Sequence, residues 1–252
     1  MKTAIISGAS SGLGREMGLQ IKNIYPDIEC CWLVARRRER LEKLAAEIQG
    51  IKCEIMAVDI TSAEELSRFA MALDEKKPEV ALLINNAGCG MLGNFDESEL
   101  SEQLKMVDLN VRALTALTRI VLDHMAHGAR IINISSIASF VPNERMTVYS
   151  ATKYYVRAFS RALGMELKGR GISVTAVCPG PMSTEFLDIA NISGNSRTFN
   201  ILPRIAPEKV ARGALVSTQR RRPVYTPGAF YKVYRVLSAL IPDTILMHFA
   251  KT

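Results

Sequence analysis

The sequence predicts an α/β fold, one doubly wound parallel sheet with helices on both faces. Three observations carry this expectation. Short runs rich in Ile, Val and Leu alternate with amphipathic segments of helix length almost from end to end, the pattern of repeated βαβ units. The runs are apolar throughout, as strands buried on both faces must be. A glycine-rich segment, Gly8 to Gly14, follows the first run and opens the first helical segment. The 252 residues fit a single domain, and 48% hydrophobic against 23% charged residues gives a chain that can bury a core and excludes the disordered class.

Taken in order, the strands are expected at 3–7, 29–34, 52–58, 80–85, 130–134 and 173–178, with a shorter one at 223–225. Helices are expected at 12–23, 37–49, 63–73, 98–126, 149–168 and 207–218. Thr61 or Ser62 is placed to cap the third helix, with Glu64 and Glu65 in its first turn. The stretch 181–205 breaks the rhythm with Asn191, Ser193, Gly194, Asn195 and Ser196 and reads as a loop over a site. The tail, 228–252, mixes Phe230, Tyr231, Val233, Tyr234, Val236 and Leu237 with Lys232 and Arg235. Such a segment can cover a substrate, form an interface, touch a membrane surface or pack on its own domain.

The net charge of +7 favours an anionic partner. Basic residues gather at Arg36, Arg37, Arg38 and Arg40 and again at Arg220, Arg221 and Arg222, but no motif interleaves them with aromatics, which are 6% of the chain, so nucleic acid is not expected. Five cysteines without a CxxC pair read as reduced core thiols. His124 and His127 lack further ligands, and no metal is expected. The start of the chain has no leader pattern, which points to the cytoplasm. Pro242 and Asp243 interrupt the apolar stretch near the end, so no membrane-spanning helix is expected.

In Ser7, Gly8, Ala9, Ser10, Ser11, Gly12, Leu13 and Gly14, small residues stand where backbone must approach a pyrophosphate held by N–H groups and a helix N-terminus. An ordinary glycine-rich turn is the alternative, and the position after a strand weighs against it. The spacing G-x-x-x-G-x-G resembles the short-chain dehydrogenase/reductase family. Further matches are Asn85-Asn86-Ala87-Gly88, Asn133-Ile134-Ser135-Ser136, Tyr149-Ser150-Ala151-Thr152-Lys153 and Pro179-Gly180. The similarity covers about residues 1–185 in the family's order. It implies a Rossmann-like, single-domain oxidoreductase that binds a nicotinamide cofactor, acts on a small carbonyl or alcohol, and forms a homodimer or homotetramer.

An NAD-selective site would carry an acid after the second strand. Ala35 and Arg36 stand there instead. A guanidinium at Arg36 suits a 2'-phosphate, each charge-assisted bond being worth roughly 1.5 to 3 kcal/mol, so NADP(H) is the expected cofactor. Arg37 can stack on adenine or share the phosphate, and Ser10 can donate its hydroxyl, while Arg38 and Arg40 are expected to be solvated. The resemblance implies that Asp59 contacts adenine and that Asn86, Ala87 and Gly88 line the adenosine ribose. Asp59 could equally cap the next helix.

Tyr149 and Lys153 are four residues apart on one helix face. An ammonium roughly 5 Å from the phenol, at an effective dielectric near 20, favours the phenolate by about 3 kcal/mol, or roughly two pKa units. The resemblance implies that Tyr149 exchanges the proton with the carbonyl oxygen and Lys153 holds the nicotinamide ribose. It implies that Ser136 rather than Ser135 orients the substrate, and that Asn110 holds a water linking Lys153 to solvent. For Asn110, a helix residue bonded to backbone is the alternative. Thr184 would bond the carboxamide, with Pro179 and Gly180 beside the ring. Ser7 and Ser139 depart from the family's usual threonine and glycine. The expected activity is reduction of a hydrophobic carbonyl compound with NADPH; the alternative is a noncatalytic NADP(H) sensor that binds a protein partner.

Overall fold

The structure, a computed structural model, describes residues 1–192 and 196–249. Seven strands, β1 (Lys2–Ser7), β2 (Cys30–Ala35), β3 (Lys52–Ala57), β4 (Glu79–Asn85), β5 (Met125–Ile134), β6 (Ser173–Val177) and β7 (Val224–Tyr225), form one sheet in the order β3-β2-β1-β4-β5-β6-β7. Every pairing is parallel. The order reverses between β1 and β4, and the crevice beyond their carboxyl ends is where such sheets bind ligands.

The strands are apolar on both sides because each face is covered. Ala4, Ile6, Cys31 and Leu33 pack under α1 (Gly12–Ile24), α2 (Arg38–Glu47) and α9 (Pro207–Gln219). Ile5, Cys30, Trp32 and Val34 face the opposite layer, which includes α3 (Ala63–Lys76) and α5 (Leu114–Leu122). The period of two thus sends neighbouring residues to different cores. In the second core, Trp32 meets Phe69 edge to face at 5.9 Å between ring centroids.

The helix expected at 98–126 is three pieces. It runs as α4 (Leu100–Val107), a π-helical turn (Asp108–Ala113) and α5, ending at Leu122, and β5 already begins at Met125. Residues 125–129 escaped recognition because Ala and Gly, three of the five, have little strand propensity. Gly128 has φ +80°, and the pairing with β4 slips there, from Val80 opposite Met125 to Leu82 opposite Arg130. Helix α6 spans Thr147–Glu166.

The expected loop at 181–205 contains two short helices, α7 (Glu185–Ile189) and α8 (Arg197–Ile201); its residues 193–195 lie outside the described residues. The tail forms α10 (Ala229–Leu240) and α11 (Asp243–Phe249), and residues 250–252 lie outside the described residues. Among the described residues, no helix is long and apolar enough to cross a membrane.

Candidate active site

The glycine segment is fixed by contacts that leave no room for side chains. Gly8 has φ +67°, and a Cβ there would lie 2.8 Å from the Ala87 backbone. One on Gly14 would lie 2.4 Å from the Gly8 carbonyl oxygen. Ser7 joins β1 to the end of β4: its Oγ accepts from the backbone N–H groups of Asn86 (3.1 Å) and Ala87 (3.2 Å). The Asn86 amide donates to the carbonyls of Ser7 and Gly8, at 3.2 and 3.0 Å. The side chain of Asn86 therefore braces the glycine turn, and what it turns toward a ligand is backbone.

Ser11 precedes α1 without a side-chain cap, and the helix's first turn carries no acid. Its open N–H groups and the positive end of the helix dipole suit an anion. They border a cleft of about 400 Å³ lined by Ser10, Ser11, Gly12, Arg15, Lys43 and Thr184, among others. A Cβ on Gly12 would reach to 3.4 Å from Thr184 across it. This glycine cradle with its uncapped helix end fits the pyrophosphate of a dinucleotide.

Where the cleft meets the end of β2, Arg37 bonds Ser10 Oγ (3.1 Å), Ser11 Oγ (2.9 Å) and Glu185 (3.2 Å). Arg36 is 71% exposed at its side chain and lies 3.8 Å from Asp59. Arg40 is not idle in solvent as expected, but bonds both carboxylate oxygens of Glu185, at 2.7 and 2.9 Å. The two guanidiniums hold the Glu185 carboxyl below its ordinary pKa. Asp59 does not cap α3. Its carboxylate accepts from the N–H and hydroxyl of Thr61 (2.9 and 2.6 Å), and the cap is Ser62, whose Oγ accepts from Glu65 N.

Tyr149 and Lys153 are both buried on α6, and Lys153 Nζ lies 5.6 Å from the Tyr149 ring centroid. The ammonium donates to the Ile134 carbonyl at 3.0 Å. Burial depresses it from 10.5 to about 8. Tyr149 moves against the expected direction. Burial raises the phenol to about 12, with a hydrogen bond from the Ser136 hydroxyl working the other way. Removing the phenolate from water outweighs what the Ser136 hydroxyl gives it.

The two serines separate cleanly. Ser135 Oγ donates to the Lys153 carbonyl at 2.8 Å and is thereby committed to α6. Ser136 Oγ accepts from Ala138 N at 3.1 Å and faces Tyr149. Asn110, in the π-helical turn, clamps the backbone of Cys89: its Oδ1 accepts from Cys89 N (2.9 Å) and its Nδ2 donates to Cys89 O (2.8 Å) and Thr152 Oγ1 (3.1 Å). Gly88 lies between Asn110 and Lys153, where a Cβ would meet Asn110 Oδ1 at 3.0 Å and Lys153 Nζ at 3.3 Å. Of the Pro179-Gly180 pair, Pro179 accepts from Ile137 N. Gly180 is pressed by Tyr231 of α10, whose ring a Cβ would strike at 2.3 Å.

A family model described as short chain dehydrogenase matches residues 2–192. The chain belongs to the short chain dehydrogenases. A solved short-chain dehydrogenase from Sphingobium yanoikuyae in complex with NADPH is 29% identical, with a TM-score of 0.81, covering 98% of this chain and 96% of that one. The 3-ketoacyl-(acyl-carrier-protein) reductase of Brucella melitensis complexed with NADH is 26% identical, with a TM-score of 0.77 and coverage of 89% and 94%. A sulfoacetaldehyde reductase of Chromohalobacter salexigens is 34% identical over 186 residues, 72% of either chain. The protein is thus an oxidoreductase that binds a nicotinamide cofactor and acts on small molecules.

Three residues of this short chain dehydrogenase's site were not singled out by sequence. Phe186, on α7, lays its ring on Tyr149 at 5.9 Å between centroids. Gly90 makes room for both, since a Cβ there would lie 2.7 Å from Phe186 and 3.1 Å from Tyr149. Glu185 ties the same helix to Arg37 and Arg40. An acid directly after Thr184 was the one signal in the sequence.

Proposed function

We propose that this oxidoreductase interconverts a ketone and a secondary alcohol with NADP(H), working chiefly as a reductase of a hydrophobic carbonyl compound. The observation that carries this reading is the buried Ser136–Tyr149–Lys153 set walled by apolar side chains, among them Leu92, Met146, Phe186 and Leu187. A bound nicotinamide supplies or accepts the hydride. Ser136 and the Tyr149 hydroxyl hold the carbonyl oxygen, and Tyr149 gives up its proton to that oxygen as negative charge develops on it. A phenol held at about 12 is fully protonated at neutral pH, as a proton donor must be. Lys153 holds the nicotinamide ribose and, with its depressed pKa, returns a proton toward Tyr149. Asn110 keeps the Cys89 backbone and π-helical turn in the shape that admits a linking water.

Backbone from Gly8 through Ser10, Ser11, Gly12, Leu13 and Gly14 holds the pyrophosphate. Asp59 contacts adenine, Asn86, Ala87 and Gly88 line its ribose, and Pro179, Gly180 and Thr184 flank the nicotinamide. The preference for NADP(H) rests on Arg36 and Arg37 beside Ser10, with no acid at the end of β2. Residues 1–252 act as one catalytic domain, with 181–205 closing over substrate. Exposed Leu100, Leu104 and Val107, spaced along one face of α4, support a homodimer or homotetramer. Five free thiols accord with a reducing cytoplasm.

The test is consumption of NADPH across a panel of ketones, steroids and 3-oxoacyl thioesters, repeated with Tyr149→Phe. The variant is expected to lose turnover while still binding NADPH. Wild-type turnover by that variant on a confirmed ketone overturns the mechanism.

A further inference from the structure

Helix α10 presents three faces. Inward, Tyr231 packs on Gly180 and donates its hydroxyl to the Pro203 carbonyl at 2.7 Å, while Tyr234 meets Phe140 at 6.4 Å between centroids. Outward, Phe230, Val233, Val236, Leu237 and Leu240 are all 42–76% exposed. At 3.6 residues per turn these five fall within roughly a third of the helix circumference. Ile245 and Met247 of α11 are exposed as well. Isolated exposed apolar residues need no explanation, but a continuous stripe along a helix marks an interaction surface.

The third face is basic. Lys232 and Arg235 border the stripe on one side. Beside Arg235 stand Arg157 and Arg161 of α6, and both Arg161 and Arg235 act with burial to depress the Arg157 pKa. Asp243, at the start of α11, is an acid near enough to affect Tyr154. From 209 to 242 the sequence has seven Lys or Arg residues and no Asp or Glu. Pairing with a second copy through this stripe would bring cations onto cations, whereas an anionic surface relieves their repulsion.

We propose that α10 and α11 dock this protein onto an anionic phospholipid bilayer, with the apolar stripe sunk to the acyl boundary and the exposed Lys232, Arg235 and Arg161 against lipid phosphates. An amphipathic helix lying in the interface plane has this arrangement of faces, and each cation near the surface strengthens binding roughly fivefold. Through Tyr231 the docked helix is joined to Gly180 and Pro203, so the site would open close to the membrane.

The full chain would be sedimented with vesicles of phosphatidylcholine alone and of phosphatidylcholine mixed with phosphatidylglycerol. The protein is expected to pellet with the mixed vesicles and to be released by salt. Val233→Glu with Leu240→Glu alters exposed positions only, checked by circular dichroism, and should lower pelleting roughly tenfold or more. Lys232→Ala and Arg235→Ala should each cost roughly fivefold on the anionic vesicles alone, an independent readout should the glutamates disturb the fold. Wild-type protein staying in the supernatant, or unchanged pelleting of both sets of variants, overturns the proposal. So does a light-scattering mass that falls when the glutamates are introduced, since the stripe would then be covered by a second copy.

Discussion

Lys153→Met keeps an unbranched stem in the pocket and removes the charge, and its effect on stability has a pH dependence that follows from burial. The ammonium is depressed from 10.5 to about 8. Between those values the unfolded chain carries a proton that the folded chain has released, so stability rises with pH across this window. Below about pH 8 the wild type bears the full penalty of a buried cation, about 3 kcal/mol, and the penalty fades as pH approaches 10.5. Methionine also leaves the Ile134 carbonyl without its donor, costing about 1–3 kcal/mol, but that cost is the same at every pH. Urea unfolding of both proteins from pH 7 to pH 10 should therefore show the wild type gaining about 2 to 3 kcal/mol on the variant. Tyr149, raised from 10.0 to about 12 in the folded protein, begins to titrate in the unfolded chain near pH 10, a contribution common to both proteins that cancels in their difference. A stability difference that stays flat, or moves the other way, refutes the picture of Lys153 as a buried cation held mainly by a backbone carbonyl.

Ser135→Ala should lower stability by about 1 kcal/mol through its lost bond to the Lys153 carbonyl and leave most of kcat, whereas Ser136→Ala should cost a similar stability through its lost bond from Ala138 N and lower kcat roughly 100-fold or more; steady-state rates on both variants separate the two. Arg36→Asp should weaken NADPH binding about tenfold or more while changing NADH binding far less, and equal losses by titration calorimetry would contradict the phosphate assignment. Gly14→Ala drives a Cβ into the Gly8 carbonyl, an overpacking of roughly 1–3 kcal/mol; its Tm should fall and should no longer rise on adding NADPH, a rise that ligand binding otherwise brings.

The parts of this protein legible in its sequence are those where chemistry restricts residue type. Gly8 and Gly14 are required by backbone contacts, and strands such as Cys30–Ala35 must be apolar on both sides, so both stood out. Ser7 is different. It was noticed as a departure, yet its hydroxyl accepts the two N–H groups that join the first half of the sheet to the second. Asn85 and Asn133 stood out only as parts of motifs, not as links of the buried polar chain beneath the site: Asn85 donates to Thr118 and Asn133, and Asn133 donates to Ser160. Those residues are separated by tens of positions, and nothing local in a sequence distinguishes a paired asparagine from a solvated one. The pKa of Tyr149 went the opposite way because a charge pair can be read from a spacing of four, while the depth at which it is buried cannot. Glu185 was hidden for a related reason, since its partners Arg37 and Arg40 come from the far side of the cleft.

The π-helical turn at Asp108–Ala113 sets the phase between two halves of one long helix. Before it, α4 exposes Leu100, Leu104 and Val107; after it, α5 buries Thr118 against Asn85. Each residue in a helix advances the side chains by about 100°, so removing one residue from the turn would rotate Thr118 out of the sheet's polar chain and free Asn110 from Cys89. The wide turn is thus equivalent to a one-residue insertion kept in place by what lies beyond it. A helix shortened by that residue would be more regular, but its parts would no longer face the partners that make the site.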